Sequence, residues 1–293
     1  YGTRGPAMKP TTRFRQLLAQ PGLIVAPGAY DGLSAKLIEQ AGFDVAYATG
    51  GGISRSCGYP DIGLLTMTEV LMHLRWIVEA TSLPVIGDCD TGYGNALNVM
   101  RAVREFERLG VAAFHLEDQI TPKRCGHYEG KEVVSCAEMC KKLEAAIEAR
   151  TDPDLVIIAR TDARATHGLD DAIQRGKEYA KVGADMIFVE APRDRDELKR
   201  VADAIDRPLV ANMVKGGKTP LLSAAELEAL GYKLAIFASD LQRAAIYGMR
   251  EVLNVMKREG TPEPFTHTIE FPERDAIIGM EQVQALEERF LRL

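Results

Sequence analysis

Lys123-Arg124-Cys125-Gly126-His127 puts an ammonium, a thiol and an imidazole into one short stretch. It lies a few positions after His115-Leu116-Glu117-Asp118-Gln119 and further downstream of Asp88-Cys89-Asp90. A D-x-D pair alone is common. A motif holding Lys, Cys and His together, after a strand that ends in Glu, is much more specific. Basic neighbours lower a thiol's pKa and make Cys125 a proton donor or nucleophile near neutral pH. Gly126 gives the loop freedom to close over a substrate, and Gly130 can serve as its hinge. Asp88 and Asp90, two apart, point the same way if the strand runs through them. Two carboxylates with water and substrate oxygens suit Mg²⁺, with Mn²⁺ as the alternative, while Glu117 holds a water and Asp61 supports the shell from a nearby loop. No His-rich cluster accompanies them, which argues against zinc. The competing readings are an inert loop cysteine and a solvated acidic turn.

Such groups need a scaffold, and the chain alternates apolar β-rich runs with helical ones. The strand candidates are 23–26, 45–48, 84–87, 112–116, 155–159, 186–189, 209–211 and 234–237. Helical patterns cover 32–41, 68–80, 95–109 and 170–182, and Ser135 with Glu138 forms a capping box that opens a helix to about Ala149. A Gly-rich loop follows the second strand. Continuous apolar strands separated by helices imply a parallel sheet buried on both faces. Eight such units indicate an α/β, TIM-like (β/α)8 barrel over residues 8–255, with an open doubly wound sheet as the alternative. The barrel places active-site groups at the C-terminal strand ends. Those ends hold Thr49, Asp88 and Asp90, Glu117, Arg160, Glu190, Asn212 and, after the eighth strand, Arg243. Packing does not explain a polar residue at nearly every strand end, because buried charges cost several kcal/mol unless paired or metal-bound.

The chain's 293 residues suffice for a sizeable core, and 46% hydrophobic with 27% charged residues is ordinary for a globular protein. A net charge of −6 gives no basic field, so nucleic acid is not an expected partner. No run approaches the length of a membrane span. Residues 1–7 read as an expression scar ahead of Met8. Five cysteines without a paired framework point to a reducing, cytoplasmic setting. His115 alternates with Glu117 and is expected to fill the barrel interior with a satisfied hydrogen bond.

From about Arg13 to Leu293 the chain resembles the isocitrate lyase/phosphoenolpyruvate mutase superfamily. The matching pieces are Thr49-Gly50-Gly51, Asp61, Asp88 to Asp90 with Gly92-Tyr93-Gly94-Asn95, His115 to Gln119, Lys123 to His127, Ala159 to Asp162 and Asn212-Met213. The Lys123–His127 loop resembles that of the C–C bond lyases acting on 2-methylisocitrate or 2,3-dimethylmalate, and is also found in carboxyvinyl-carboxyphosphonate phosphorylmutase. The resemblance implies a Mg²⁺-dependent barrel whose C-terminal helical segment, 256–293, is exchanged with a neighbouring subunit through a helix near 280–290. The assembly implied is a homotetramer. The chemistry implied is retro-Claisen cleavage of a 2-hydroxy acid to a 2-oxoacid and a second carboxylate. In it Cys125 protonates a carbanion, Arg160 offsets charge, and His127, Glu190 and Lys123 position or tune these groups. Thr49, Gly50, Gly51, Gly126 and Asn212 are implied substrate contacts, and Arg243 and Arg274 align with contacts to distal carboxylates. Position 49 usually carries Ser in the superfamily. Val214 replaces a Thr expected for a tricarboxylate substrate, and Ala238 replaces a common proline. These departures leave the choice between dicarboxylate and tricarboxylate open.

Overall fold

The computed structural model describes residues 8–126, 128 and 130–291. Eight strands follow one another: β1 Ile24–Ala29, β2 Ala46–Ala48, β3 Val85–Asp88, β4 Ala113–Glu117, β5 Val156–Thr161, β6 Met186–Val189, β7 Leu209–Asn212 and β8 Leu234–Phe237. Each pairs in parallel with the next, and β8 returns to β1 through Ile24↔Leu234 to Pro27↔Phe237. The sheet is therefore a closed barrel, as the eight apolar runs predict, and not an open doubly wound sheet.

Successive side chains on a strand face opposite sides of the sheet, so each strand carries an inward and an outward series. The outward series, with residues such as Phe114, Leu116, Ile157 and Ile187, packs against the surrounding helices in one cluster. The inward series, with Ile86, Ile158, Phe188, Val210 and Ile236, forms a second cluster that fills the barrel. Phe14, from the helix Pro10–Ala19 and 0% exposed, joins this interior cluster together with Ile24, Val45 and Ala112 near the strand starts. It closes the N-terminal floor.

The helices expected at 32–41, 68–80, 95–109 and 170–182 appear as Gly32–Gln40, Met67–Ala80, Ala96–Leu109 and Leu169–Val182. Asp31, Thr66 and Asn95 cap the first three through reciprocal boxes. At Cys136–Ala149 only half of the expected box forms: Ser135 accepts from the Glu138 N–H at 3.1 Å, without a reciprocal bond from the Glu138 side chain. The Gly-rich stretch read as a loop is in fact helical over Gly50–Ser56, capped by Thr49, which accepts from the Gly52 N–H at 3.3 Å. Glycine is a poor helix former, and tertiary contact overrides that propensity here. A Cβ on Gly50 would lie 2.5 Å from Asp88 Oδ2, one on Gly51 2.9 Å from Asp61 Oδ2, and one on Gly52 2.6 Å from Thr49 Cγ2.

Two compact units divide at Asp240/Leu241, ahead of the expected boundary at 255/256, because the long helix Asp240–Glu259 goes with the C-terminal unit. Lys9–Asp240 holds the whole barrel. The C-terminal unit also contains the helices Phe271–Ile278 and Met280–Phe290, neither of which buries a side chain. Among the described residues, no helix is long and apolar enough to cross a membrane.

Phe14→Ala should leave a cavity at the barrel floor. A loss of about 3–5 kcal/mol in urea unfolding is expected, and a loss below about 1 kcal/mol would show that the floor does not depend on this ring.

Candidate active site

Carried past the apolar core, the inward series turns polar on five consecutive strands. Ile86 is followed by Asp88, Ala113 by His115 and Glu117, Ile158 by Arg160, Phe188 by Glu190, and Val210 by Asn212. Strand register puts these groups side by side, with Asp88 opposite His115 and Glu117 opposite Arg160. Every titratable side chain of this set is buried.

Arg160 is the hub. Its Nε and Nη2 donate to the two oxygens of Asp162 at 2.9 and 3.2 Å. Nη1 lies 3.2 Å from Glu117 Oε2, Nη2 lies 3.3 Å from Glu190 Oε2, and the guanidinium stacks over Phe188 at 5.1 Å. Asn212 Nδ2 donates to Glu190 Oε2 at 3.2 Å. Asp162 is held in turn from below: Asp118 accepts its N–H at 2.9 Å, while also accepting from Thr161, Arg175 and Tyr179. Burial opposes ionisation of Asp162, yet Arg160 and Lys131 prevail and bring its pKa down to about 2.

A second group surrounds Lys123, whose Nζ sits 2.6 Å from Asp61 and 2.7 Å from Asp90. Burial would discharge this ammonium, but Asp90, Asp61 and Asp88 outweigh it and hold its pKa well above the ordinary value. Burial, with Asp88 and Asp61 adding to it, pushes Asp90 up to about 7 against the pull of Lys123.

A third group is Asp88, His115 and Glu117, each of which offers one donor atom within 4.8 Å of the others. Tyr47 Oη meets His115 Nε2 at 2.9 Å, and Asp88 Oδ2 accepts from the Gly50 N–H at 3.2 Å. Burial, then the cations Arg160 and Lys123, bring His115 down to about 4 against Asp88, so its imidazole is neutral at pH 7. Burial opposes ionisation of Asp88, but His115, protonated in the acid range where Asp88 titrates, prevails with Lys123 and Arg160 and holds it below the usual carboxylate range. Burial, with Asp162 and Asp88, pushes Glu117 well above that range against Arg160 and Lys123. Both Glu117 oxygens and His115 Nδ1 are buried without a hydrogen-bond partner. His115 thus fills the interior as expected, but only one of its ring nitrogens is satisfied. Two carboxylates and a neutral imidazole, with orphaned acceptors, fit a divalent cation.

The thiol loop lies over these groups. A Cβ on Gly126 would stand 2.7 Å from Glu190 Cδ and 2.8 Å from Arg160 Nη2, so the residue after Cys125 rests on that ion pair. The Cys125 N–H donates to the Asp61 carbonyl at 3.0 Å. Gln119 donates to the Arg124 carbonyl at 2.8 Å and accepts from its N–H at 2.9 Å. The loop's stem is closed by a bridge between Gln119 and Val133. His127 lies outside the described residues.

Of the residues the sequence singles out, Thr49, Gly50, Gly51, Asp61, Asp88, Asp90, Glu117, Lys123, Cys125, Gly126, Arg160, Glu190 and Asn212 converge on this end of the barrel. Within it, Asp61 and Asp90 face Lys123, and His115 joins Asp88 and Glu117. Arg243 and Arg274 belong to the C-terminal unit, where Arg274 pairs with Asp275 at 2.8 Å and stacks on Phe271. Sequence reading missed Tyr47 and Lys131, and it quoted Asp162 only within the matching piece Ala159 to Asp162, without a role. The inward series that passes through Tyr47 and Thr49 could have found the first. Asp162 sits two residues from the Arg160 it grips, a pairing the spacing could have suggested, whereas the bond of Lys131 to Asp162 spans 31 residues and leaves no local signal.

The profile of the phosphoenolpyruvate phosphomutase family matches residues 14–257. A 2,3-dimethylmalate lyase of Eubacterium barkeri is 46% identical over 285 residues, covering 97% of this chain and 99% of that protein. A 2-methylisocitrate lyase of Aeropyrum pernix is 41% identical over 258 residues, covering 88% and 83% respectively. A crystal structure of 2,3-dimethylmalate lyase, described as a PEP mutase/isocitrate lyase superfamily member, superposes with a TM-score of 0.91 at 37% identity, covering 97% of this chain and 96% of that one.

Lys123→Met leaves Asp61 and Asp90 buried without their cation, which should cost about 3–5 kcal/mol of stability at pH 8. The penalty should shrink toward pH 6. Asp90, already raised by burial, loses the lowering pull of Lys123 and titrates still further above its unfolded value, so the folded state binds more protons and stability falls as pH rises. Urea unfolding of both proteins at the two pH values checks this, and a pH-independent penalty would contradict it.

Proposed function

This chain belongs to the phosphoenolpyruvate phosphomutase family, and we propose that within it the protein is a divalent-metal-dependent carbon–carbon lyase. Its substrate on this reading is a 2-hydroxy di- or tricarboxylate of the 2,3-dimethylmalate or 2-methylisocitrate type. The observation that carries the reading is the seat of Gly126, the residue after Cys125, on the Arg160–Glu190 ion pair, with Glu117 of the candidate metal group on the same guanidinium. A thiol there supplies the proton that C–C cleavage requires.

Asp88, His115 and Glu117 would hold the metal, taken to be Mg²⁺ with Mn²⁺ as the alternative, and Asp90 and Asp61 would act around it through Lys123. The site sets six acids, Asp61, Asp88, Asp90, Glu117, Asp162 and Glu190, against Lys123, Lys131 and Arg160, and a divalent cation brings it nearer to balance. The ion would polarise the oxygens of the 2-oxoacid portion. The Gly50 N–H donates to Asp88, and a Cβ on Gly50 or Gly51 would meet Asp88 or Asp61, so Thr49, Gly50 and Gly51 would contact the 2-oxoacid portion where a larger residue would leave no room. The substrate hydroxyl proton passes to a carboxylate of the buried cluster acting as base. The bond between the carbinol carbon and its neighbour breaks, the carbinol carbon becomes the 2-oxo carbon, and the electron pair stays on the departing carboxylate's α-carbon. Cys125 donates its proton to that carbon. Arg160 offsets the carboxylate charge that grows as the bond breaks. Atoms balance without a co-reactant, since the two products together are an isomer of the substrate. Asn212 orients Glu190, and the role assigned to His127 is to tune the thiol.

The segment 212–220, with Val214 in place of a Thr hydroxyl, favours the dicarboxylate. It also resembles carboxyvinyl-carboxyphosphonate phosphorylmutase, so P–C bond chemistry is the second reading. Large apolar residues on the C-terminal helices, Phe271 at 71% and Phe290 at 64% exposed, support exchange of this segment with a second copy in a homotetramer. The reducing, cytoplasmic setting rests on the free cysteines.

The test is 2-oxoacid release from 2,3-dimethylmalate, 2-methylisocitrate, isocitrate and oxaloacetate, with Mg²⁺ or with EDTA. Release from one 2-hydroxy acid, abolished by EDTA and reduced about 10²-fold or more by Cys125→Ser, is expected. Silence on all four with intact Mg²⁺-dependent oxalate binding would reject the lyase in favour of P–C chemistry.

A further inference from the structure

Lys131 is a buried ammonium, its side chain 1% exposed, and nothing in the cleavage chemistry above employs it. Its Nζ donates to Asp162 Oδ1 at 2.8 Å and to the Gly126 carbonyl. The two partners serve different parts of the site. Asp162 is 0% exposed and grips Arg160 through both oxygens. Gly126 follows Cys125, and its Cα rests on Arg160 Nη2 and Glu190. One ammonium therefore spans the peptide that carries the thiol and the carboxylate that aims the guanidinium.

We propose that Lys131 is a positioning residue that fixes the Cys125–Gly126 peptide relative to Arg160, and so sets where the thiol meets the substrate. Burying an ammonium costs several kcal/mol unless its protons are satisfied. A neutral side chain of equal length would fill the same space without that cost, so packing alone does not account for a lysine here. Asp162 does not need a second cation for its own sake, because Arg160 already reaches both of its oxygens. What Lys131 adds is the link to Gly126, whose carbonyl it holds. Asp118, accepting from the Asp162 N–H, keeps the far end of the link fixed. A displacement of about 1 Å between a proton donor and its carbon is enough to cost about 10²-fold in rate.

This inference rests on the lyase reading for its effect on turnover, but its geometry can be tested without it. In the full-length protein with Mg²⁺ and oxalate, the alkylation rate of each cysteine by iodoacetamide is read by peptide mass mapping, comparing wild type with Lys131→Met. The expected result is a change of about fivefold or more at Cys125, with Cys57, Cys89, Cys136 and Cys140 within about twofold. In turnover, kcat should fall about 10- to 100-fold with KM within about threefold, since the loss is of alignment and not of substrate binding. An unchanged Cys125 rate, or a parallel rise at all five cysteines, overturns the proposal, as does a rise in KM that matches the whole loss. If Cys125 responds as expected but the wild-type protein cleaves no substrate, the positioning role stands and the lyase reading fails.

Discussion

Arg160 is the charge around which this site is assembled. A guanidinium cannot shed its proton, so its burial at the mouth of the barrel has to be matched by anions that are themselves buried. Glu117, Asp162 and Glu190 do this from three directions, and Phe188 closes the face below. Burial disfavours the charged guanidinium, but these anions, Asp162 foremost, outweigh it and raise its pKa. Each anion then depends on Arg160 as much as Arg160 depends on it. The cluster is therefore either whole or badly compromised, which ties the geometry of the candidate site to folding.

Backbone shape supplies the rest of the precision. Among the described residues three non-glycine positions have left-handed backbone, Asp90, Tyr93 and Ala191, with φ of 46°, 60° and 58°. All three lie just beyond the ends of β3 and β6, close in sequence to the buried carboxylates Asp88 and Glu190. Such conformations cost roughly 1–3 kcal/mol each and persist where the surroundings over-determine them. The glycines make a complementary contribution. Gly50 and Gly126 have no left-handed backbone, and each is needed because a neighbour comes too close for a Cβ. Strain brings side chains in, and missing side chains let the backbone approach.

Much of this was legible because a barrel strand has only two faces. The apolar runs gave the strands, their ends gave Asp88, Glu117, Arg160, Glu190 and Asn212, and the alternation that buries Ile158 and Phe188 also aims Arg160 and Glu190 inward. What stayed hidden depends on contacts between segments far apart in the chain. A D-x-D motif does not reveal that Asp90 turns toward Lys123 while Asp88 turns toward His115. A triple glycine reads as a loop until Asp88 and Asp61 are seen to occupy the space that side chains would need. Lys131 reads as one more charge after a hinge. Arg274 remains defined only by resemblance, and Arg243 only by resemblance and its place after the eighth strand, because both belong to the other compact unit.

The thiol loop shows how ion pairs can serve placement more than stability. Lys123 anchors its start to Asp61 and Asp90, Lys131 anchors its end to Asp162, and Gln119 clamps the Arg124 peptide between them. Buried ion pairs add little net stability over apolar packing. They do impose direction, because each ammonium has few ways to satisfy its protons. A loop packed by apolar contacts could slide by an ångström at little cost. A loop whose two ends are tied to the carboxylates that also organise Lys123 and Arg160 cannot slide without unpairing a buried charge. The charges that make the chemistry possible thus also fix where Cys125 sits.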